Sequence, residues 1–292
     1  MNAEVKFIPG GSPLGVRRCQ GHVLEKDDFS GFPAYIIREG GETEMAGAAR
    51  RRSESALLGI VFLAGFAVFA EEDPWRARRQ AMVDLQIAAR GVDDPSVLAA
   101  MRKVPRHLFV PESIRALAYE DHPLPIGDGQ TISQPYIVAF MTEALGVKPG
   151  DRILEVGTGS GYQAAVLAEI GARVLTLEIV PGLAARSERL LHSLGYDSIM
   201  VRAGDGFFGW PEEAPFDGVI LTCATPETPA PLFAQLVEGG RMVLPLESAS
   251  GAQVLTRIIK KDGRPRITSL LDVRFVPMTG EARHEGRRGP PP

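Results

Sequence analysis

Residues 151–164 read Asp-Arg-Ile-Leu-Glu-Val-Gly-Thr-Gly-Ser-Gly-Tyr-Gln-Ala. The largely apolar run 153–156 predicts a short buried strand, Gly157 to Gly161 a tight turn, and 162–168 the start of a helix. A strand, a glycine turn and a helix N-terminus form a seat for a nucleotide-like ligand. The glycines allow positive φ and close approach to the main chain. The spacing is Gly-x-Gly-x-Gly. The dinucleotide fingerprint Gly-x-Gly-x-x-Gly needs a small residue at position 162, where Tyr162 stands. Glu155, just before the turn, aims a carboxylate at the loop and would repel a pyrophosphate. Both residues disfavour an NAD-dependent oxidoreductase and suit a ligand with a positive centre and no phosphate.

Downstream, the pattern repeats. A helix to 168 ends near Gly171, and 173–177 predicts a second strand with Glu178 at its carboxyl end. Glu178 can accept both hydroxyls of a ribose; a solvated strand end is the plain alternative. A helix over 181–195 leads to a third strand at 198–202 and to Gly204-Asp205-Gly206. Asp205 could face an adenine amino group or a neighbouring helix. A fourth strand, 216–222, runs into Thr222-Cys223-Ala224-Thr225, which crosses the sheet's carboxyl edge, where ligands of open α/β sheets bind. A helix over 231–237, a turn at 238–240 and a fifth strand at 241–246 follow. The alternation predicts a doubly wound, mostly parallel, Rossmann-like α/β sheet. Residues 252–260 and 266–276, joined by Lys261-Asp262-Gly263-Arg264, predict a C-terminal antiparallel hairpin, interrupted at Leu270-Leu271. Residues 281–292 read as a disordered tail.

Upstream, 128–136 is dense in glycine, hydroxyls and amides. Ser133 suits the N-cap of a helix over 136–145, with Pro135 near its start. Thr131, Ser133 and Gln134 can also donate hydrogen bonds to a substrate. No Gly-x-Ser-x-Gly surrounds Ser133, so a nucleophilic role is not expected. Residues 71–127 form a helical lead-in: a helix over 75–90 ended by Gly91, a second beginning at Asp94-Pro95, the proline-bracketed stretch 104–111 read as extended or a turn, a short helix over 111–119, and a loop at 121–127. Arg106 and His107 read as structural more readily than functional. Residues 1–44 show little periodicity and receive no fold; they are expected to be disordered or untranslated. The segment 45–70, with Arg50-Arg51-Arg52 before the apolar run 56–70, has the form of a secretory signal beginning at Met45, the alternative being an apolar helix packed on the protein. Membrane contact is expected only if 56–70 is kept as an anchor.

The whole chain has 292 residues, 45% hydrophobic and 23% charged, room for one large domain with additions. Its net charge of -4 gives no reason to expect a nucleic-acid partner. Cys19 and Cys223 lie far apart, so no structural disulfide is expected. The five histidines lack ligand spacing, so no metal site is expected.

The glycine loop with Glu178 and Asp205 resembles the class I methyltransferases that use S-adenosylmethionine. Three further stretches narrow the likeness: 104–111 (Val-Pro-Arg-His-Leu-Phe-Val-Pro), 129–136 (Gly-Gln-Thr-Ile-Ser-Gln-Pro-Tyr), and Gln235-Leu236 with 239–245 (Gly-Gly-Arg-Met-Val-Leu-Pro). With 154–163 and the ending Arg274-Phe275-Val276-Pro277-Met278, they resemble the protein-L-isoaspartate O-methyltransferase family over about 76–280. Cys223 stands where alanine is expected.

The resemblance implies a methyltransferase domain at 128–280 and methyl transfer from S-adenosylmethionine to the free carboxylate of isoaspartyl residues in damaged peptides and proteins. Repair would follow through a succinimide. It implies a monomer in the cytoplasm, exported or tethered only if 45–70 acts as a signal. Ser133 is the expected active-site residue, with Thr131, Ile132 and Gln134 beside the substrate. Glu155, Gly157, Thr158, Gly159, Ser160 and Gly161 are expected around the methionine part of the donor, Glu178 at the ribose, Asp205 and Gly206 at the adenine, and Thr222 nearby. A small-molecule methyltransferase and a non-enzymatic exported protein are the rival readings.

Overall fold

The computed structural model describes residues 73–282, so the expectations for 1–72 and for 283–292 of the tail lie outside the described residues, while the first two residues of the expected disordered tail 281–292 are ordered: the Glu281 amide donates to Asp205 and Ala282 is buried. Nine strands occur there: β1 (Leu124–Gly127), β2 (Gln130–Ile132), β3 (Arg152–Val156), β4 (Arg173–Glu178), β5 (Met200–Ala203), β6 (Phe216–Leu221), β7 (Leu236–Glu247), β8 (Gln253–Lys261) and β9 (Arg264–Val273). The main sheet has the order β5-β4-β3-β6-β7-β8-β9. β5 to β7 run parallel; β8 and β9 are antiparallel. From β3 the chain winds outward through β4 to β5, then returns to β6 on the other side. That reversal opens a crevice at the carboxyl ends of β3 and β6, the glycine loop's position.

Alternation along β3 splits the core. Ile153 joins the apolar cluster on one face, shared with α3 (Pro135–Leu145), α4 (Tyr162–Glu169) and the lead-in; Leu154 and Val156 join the cluster on the other face, with Leu175, Leu177, Phe216 and Met242. Period-two geometry therefore sends Glu155 to the same face as Ile153, into a fully buried position.

The sheet agrees with the sequence reading, and several local expectations are corrected. Residues 121–127 are not all loop. β1 pairs with β2 around Asp128-Gly129, both at positive φ (52° and 69°), a tight two-residue turn. Ser133 is not a helix cap: α3 starts at Pro135, Gln134 holds the cap position, and no side chain caps the end. The first lead-in helix is α-helical only over α1 (Arg76–Ala81); it widens to a π-helical stretch (Met82–Ile87) and tightens to a 3-10 turn (Ala88–Arg90) ended by Gly91 at φ 92°. The second, α2 (Pro95–Lys103), is capped by Asp94, whose carboxylate accepts from the Ser96 and Val97 amides. Residues 104–111 contain a 3-10 turn, Arg106–Phe109, and another, Glu112–Leu117, follows.

Helix α5 (Pro181–Ser193) is followed by β5, which starts two residues later than expected. Helix α6 (Ala230–Ala234) is shorter than expected because β7 already begins at Leu236. Phe216 pairs with Leu236 and Gly218 with Arg241, so residues 237–240 bulge out of the ladder instead of forming a separate turn. The interruption seen at Leu270-Leu271 is a bulge of one residue: Leu255 pairs with Leu271 and Thr256 with Ser269, leaving Leu270 extra. Asp262 and Gly263, at φ 53° and 68°, form the β8–β9 turn.

Candidate active site

Two recesses meet at the switch point. The first is a cleft beside the glycine loop. Its lining includes Thr131, Ile132, Ser133, Glu155, Gly157, Thr158, Gly159, Ser160, Glu178, Gly206 and Thr222. An adjoining groove takes in Thr131, Ser133, Gln134, Ile137, Thr222 and residues 272–276. Thr131, Ser133, Thr222 and Val276 border both, so one ligand in the cleft and another in the groove would meet beside Ser133.

The loop is held from both neighbouring strands. The amides of Gly157 and Thr158 donate to Leu177 O (2.8 and 3.2 Å), and that of Gly159 to Glu178 Oε2 (2.9 Å). From the residue after β6, the Thr222 hydroxyl donates to Gly157 O (2.6 Å). Gly157, Gly159 and Gly161 all have positive φ (98°, 53° and 88°). A Cβ on Gly157 would overlap the Thr222 hydroxyl, so only glycine closes this corner.

Glu155 lies beneath the loop. Its register partner on β4 is Thr176, whose hydroxyl donates to Glu155 Oε2 (2.6 Å). Thr158 Oγ1 lies 2.7 Å from Thr176 Oγ1. A hydroxyl has one proton to give, so with the carboxylate ionised Thr176 donates to Glu155 and Thr158 to Thr176. Glu155 Oε1 is buried and has no partner among the described residues. Burial, ahead of the nearby Glu178 charge, pushes the carboxyl up to about 8, against the opposing Thr176 bond. A buried acceptor of this kind, bordering a cleft, is chemically suited to a cationic or donor group.

Glu178, 5% exposed, lines the cleft while accepting from the amides of Gly159 and Val180. Asp205 and Gly161 do not line it. Asp205 accepts from the Phe207 amide (3.0 Å) and, across the chain, from the Glu281 amide (2.8 Å), clamping the C-terminal segment to the turn Gly206–Phe208. Gly161 is the cap position of α4, packed against Leu191. Asp205→Ala removes the acceptor for both amides and is expected to lower stability by about 1–3 kcal/mol, read from the denaturant midpoint.

Sequence reasoning missed Tyr162, Gln163, Ile179 and 276–279 as cleft residues. The signal for 276–279 was present in the quoted Phe-Val-Pro-Met ending. Ala224 exchanges backbone hydrogen bonds with Val276 and Met278, which brings that ending onto the loop after β6. Cys223, half-buried on the cleft wall, is a free thiol; burial pushes it up to about 12, so it is a neutral wall residue. Arg106 and His107 are buried, not displayed on a loop.

A family model described as Protein-L-isoaspartate(D-aspartate) O-methyltransferase (PCMT) matches residues 77–283. A Protein-L-isoaspartate O-methyltransferase of Opitutus terrae is 49% identical over 230 residues, 79% of this chain and 99% of its own length. One of Gloeobacter violaceus is 54% identical over 204 residues, 70% of this chain and all of its own. Among solved structures, a protein-L-isoaspartate O-methyltransferase superposes with TM-score 0.65 at 30% identity, covering 71% of this chain and 67% of that one. A Plasmodium falciparum structure of the same description, in complex with S-adenosyl-L-homocysteine, gives 0.62 at 29%, covering 69% and 98%.

Proposed function

Because the chain belongs to the protein-L-isoaspartate(D-aspartate) O-methyltransferase family, we infer that its site moves a methyl group from S-adenosylmethionine to the free carboxylate of L-isoaspartyl residues in damaged peptides and proteins. The observation that carries this at the level of residues is the pairing of a cleft floored by Glu155 with a groove that meets it at Ser133. The donor's chemistry fits. Its ammonium suits the unpartnered Glu155 Oε1, and its ribose suits Glu178. When bound, S-adenosylmethionine supplies an electrophilic methyl group.

The chain's own work is placement. A side-chain-like carboxylate has a pKa of about 4 and arrives ionised, so no general base is required. Ser133, whose hydroxyl has no protein partner among the described residues, donates to that carboxylate and aims it along the line of transfer. Holding the reactants in line lowers the barrier by proximity and orientation. Thr131, Ile132 and Gln134 flank the peptide. Gly157 to Ser160 cradle the methionine part of the donor, Gly161 serves only to turn the chain into α4, Gly206 lies on the adenine side, and Thr222 closes the loop from below. Asp205 acts on the adenine side by fixing the turn at Gly206, consistent with its amide contacts. Opposite charges on carboxylate and donor cancel along the reaction, which a dry cleft favours. The backbone amide nitrogen of the next substrate residue then attacks the ester carbonyl, methanol leaves, and the resulting succinimide hydrolyses in part to aspartate. A cytoplasmic location belongs to this reading because the donor is made there.

Transfer of a labelled methyl group to an isoaspartyl peptide and to its aspartyl twin tests the reading. Label is expected on the isoaspartyl peptide alone. Equal label on both, or none on either, would return the choice to a small-molecule acceptor.

A further inference from the structure

Arg106 is fully buried at the start of the turn Arg106–Phe109. Its Nε donates to Ala118 O (2.7 Å) and its Nη2 to Ser133 O (2.7 Å). Nη1 has no partner, and among the described residues no carboxylate pairs with the guanidinium. Its carbon lies 4.9 Å from the ring centroid of Tyr162, the first residue of α4 and part of the cleft lining.

A buried guanidinium with no carboxylate beside it carries a large desolvation penalty, so a position that needed only volume would be better filled by an apolar side chain. The planar fork of arginine does something leucine or methionine cannot: it holds two carbonyls, from two separate segments, at a fixed spacing. One segment is the end of the lead-in. The other is Ser133, the residue shared by cleft and groove. Ser133 caps no helix, and its hydroxyl has no partner among the described residues, so the aim of that hydroxyl is set by its main chain alone. Arg106 holds that main chain. Its other side packs on Tyr162, directly after the glycine loop.

We propose that Arg106 is a positioning residue for methyl transfer: by gripping the Ser133 carbonyl while packing on Tyr162, it sets the distance between the acceptor loop and the donor loop. This rests on the reading of Ser133 as the residue that meets the substrate carboxylate. The helical lead-in thereby takes part in the reaction without touching either reactant.

Arg106→Met keeps the volume and removes the fork. It is expected to lower kcat about 10- to 100-fold and raise the peptide KM, with the donor dissociation constant, measured by calorimetry, changed by less than about 3-fold. Arg106→Lys, which keeps the charge but cannot fork to both carbonyls, is expected to recover part of the turnover; if the Met variant does not fold, the same split is read on the Lys variant. In combination with Ser133→Ala the losses are expected not to add, since both act through one contact. Unchanged turnover, additive losses, or parallel loss of turnover and donor affinity would each overturn the proposal. Ser133→Ala with full activity would sink the reading of Ser133 itself. Loss in Ser133→Ala with silent Arg106 variants would sink only this inference.

Discussion

Gly157→Ala is expected to abolish donor binding while leaving a folded protein. The residue sits at φ 98°, where a Cβ costs roughly 1–2 kcal/mol in backbone energy alone. The added methyl group would also overlap the Thr222 hydroxyl, which donates to Gly157 O (2.6 Å) with Val156 O 3.2 Å away. The loop has no room to yield, because its next two amides are committed to Leu177 O and Glu178 Oε2. Relief must come by moving the loop into the cleft or displacing Thr222 at the end of β6. Either distorts the face that receives the donor. An affinity loss of about 100-fold or more, some 2.7 kcal/mol or above, is expected by calorimetry. The fall in thermal midpoint is expected to be modest, because both core clusters are untouched. Donor affinity within 3-fold of the parent would show that the loop is not where the donor sits.

The second large effect is a pH dependence carried by Glu155. Its carboxyl is pushed up to about 8 in the folded protein, above the ordinary carboxylate value that it regains on unfolding. A raised acid pKa means that the fold favours the protonated form. Its contribution is therefore complete below the unfolded value, near pH 4–5, and is lost as pH rises towards 8. Across that window the parent protein is expected to lose up to about 1.4 kcal/mol per pH unit relative to Glu155→Gln, which cannot ionise. Urea unfolding of both proteins at pH 5, 6.5 and 8 measures the slope difference; parallel curves would refute it. Donor binding reverses the preference, since an ammonium beside Oε1 favours the charged carboxylate. Binding at pH 7 is expected to release close to one proton from the parent and none from Glu155→Gln, read as a dependence of binding heat on buffer ionisation.

Much of the sheet was legible because the code for it is local. Apolar runs of strand length, separated by helical periods, and glycines in the turn after β3 dictate a parallel α/β sheet wherever they occur. The loop could be placed for the same reason: Gly157, Gly159 and Gly161 mark positions where the backbone must take positive φ. Asp262-Gly263 signalled its hairpin in the same local terms. The failures share a cause. Ser133 has the composition of a helix cap, yet Pro135 already supplies the first turn, which moves the cap position to Gln134. Residues 124–127 carry Pro125 and read as loop, yet pair with β2 across Asp128-Gly129. The start of β7 at Leu236 is set by pairing with Phe216, twenty residues away in the chain.

By itself, then, the sequence determined the fold class, the loop, the carboxylates at strand ends and, through the likeness of its short motifs, the chemistry. Those depend on neighbours within a few residues. The tertiary structure alone decided what each polar side chain does. It shows that Asp205 spends its oxygens on the Phe207 and Glu281 amides, that the register opposite Thr176 leaves one Glu155 oxygen without a donor, and that Arg106 reaches Ser133. Hydrogen-bond partners across 27 or 76 residues of chain are fixed by which strands and turns come to lie side by side, and no local pattern encodes that.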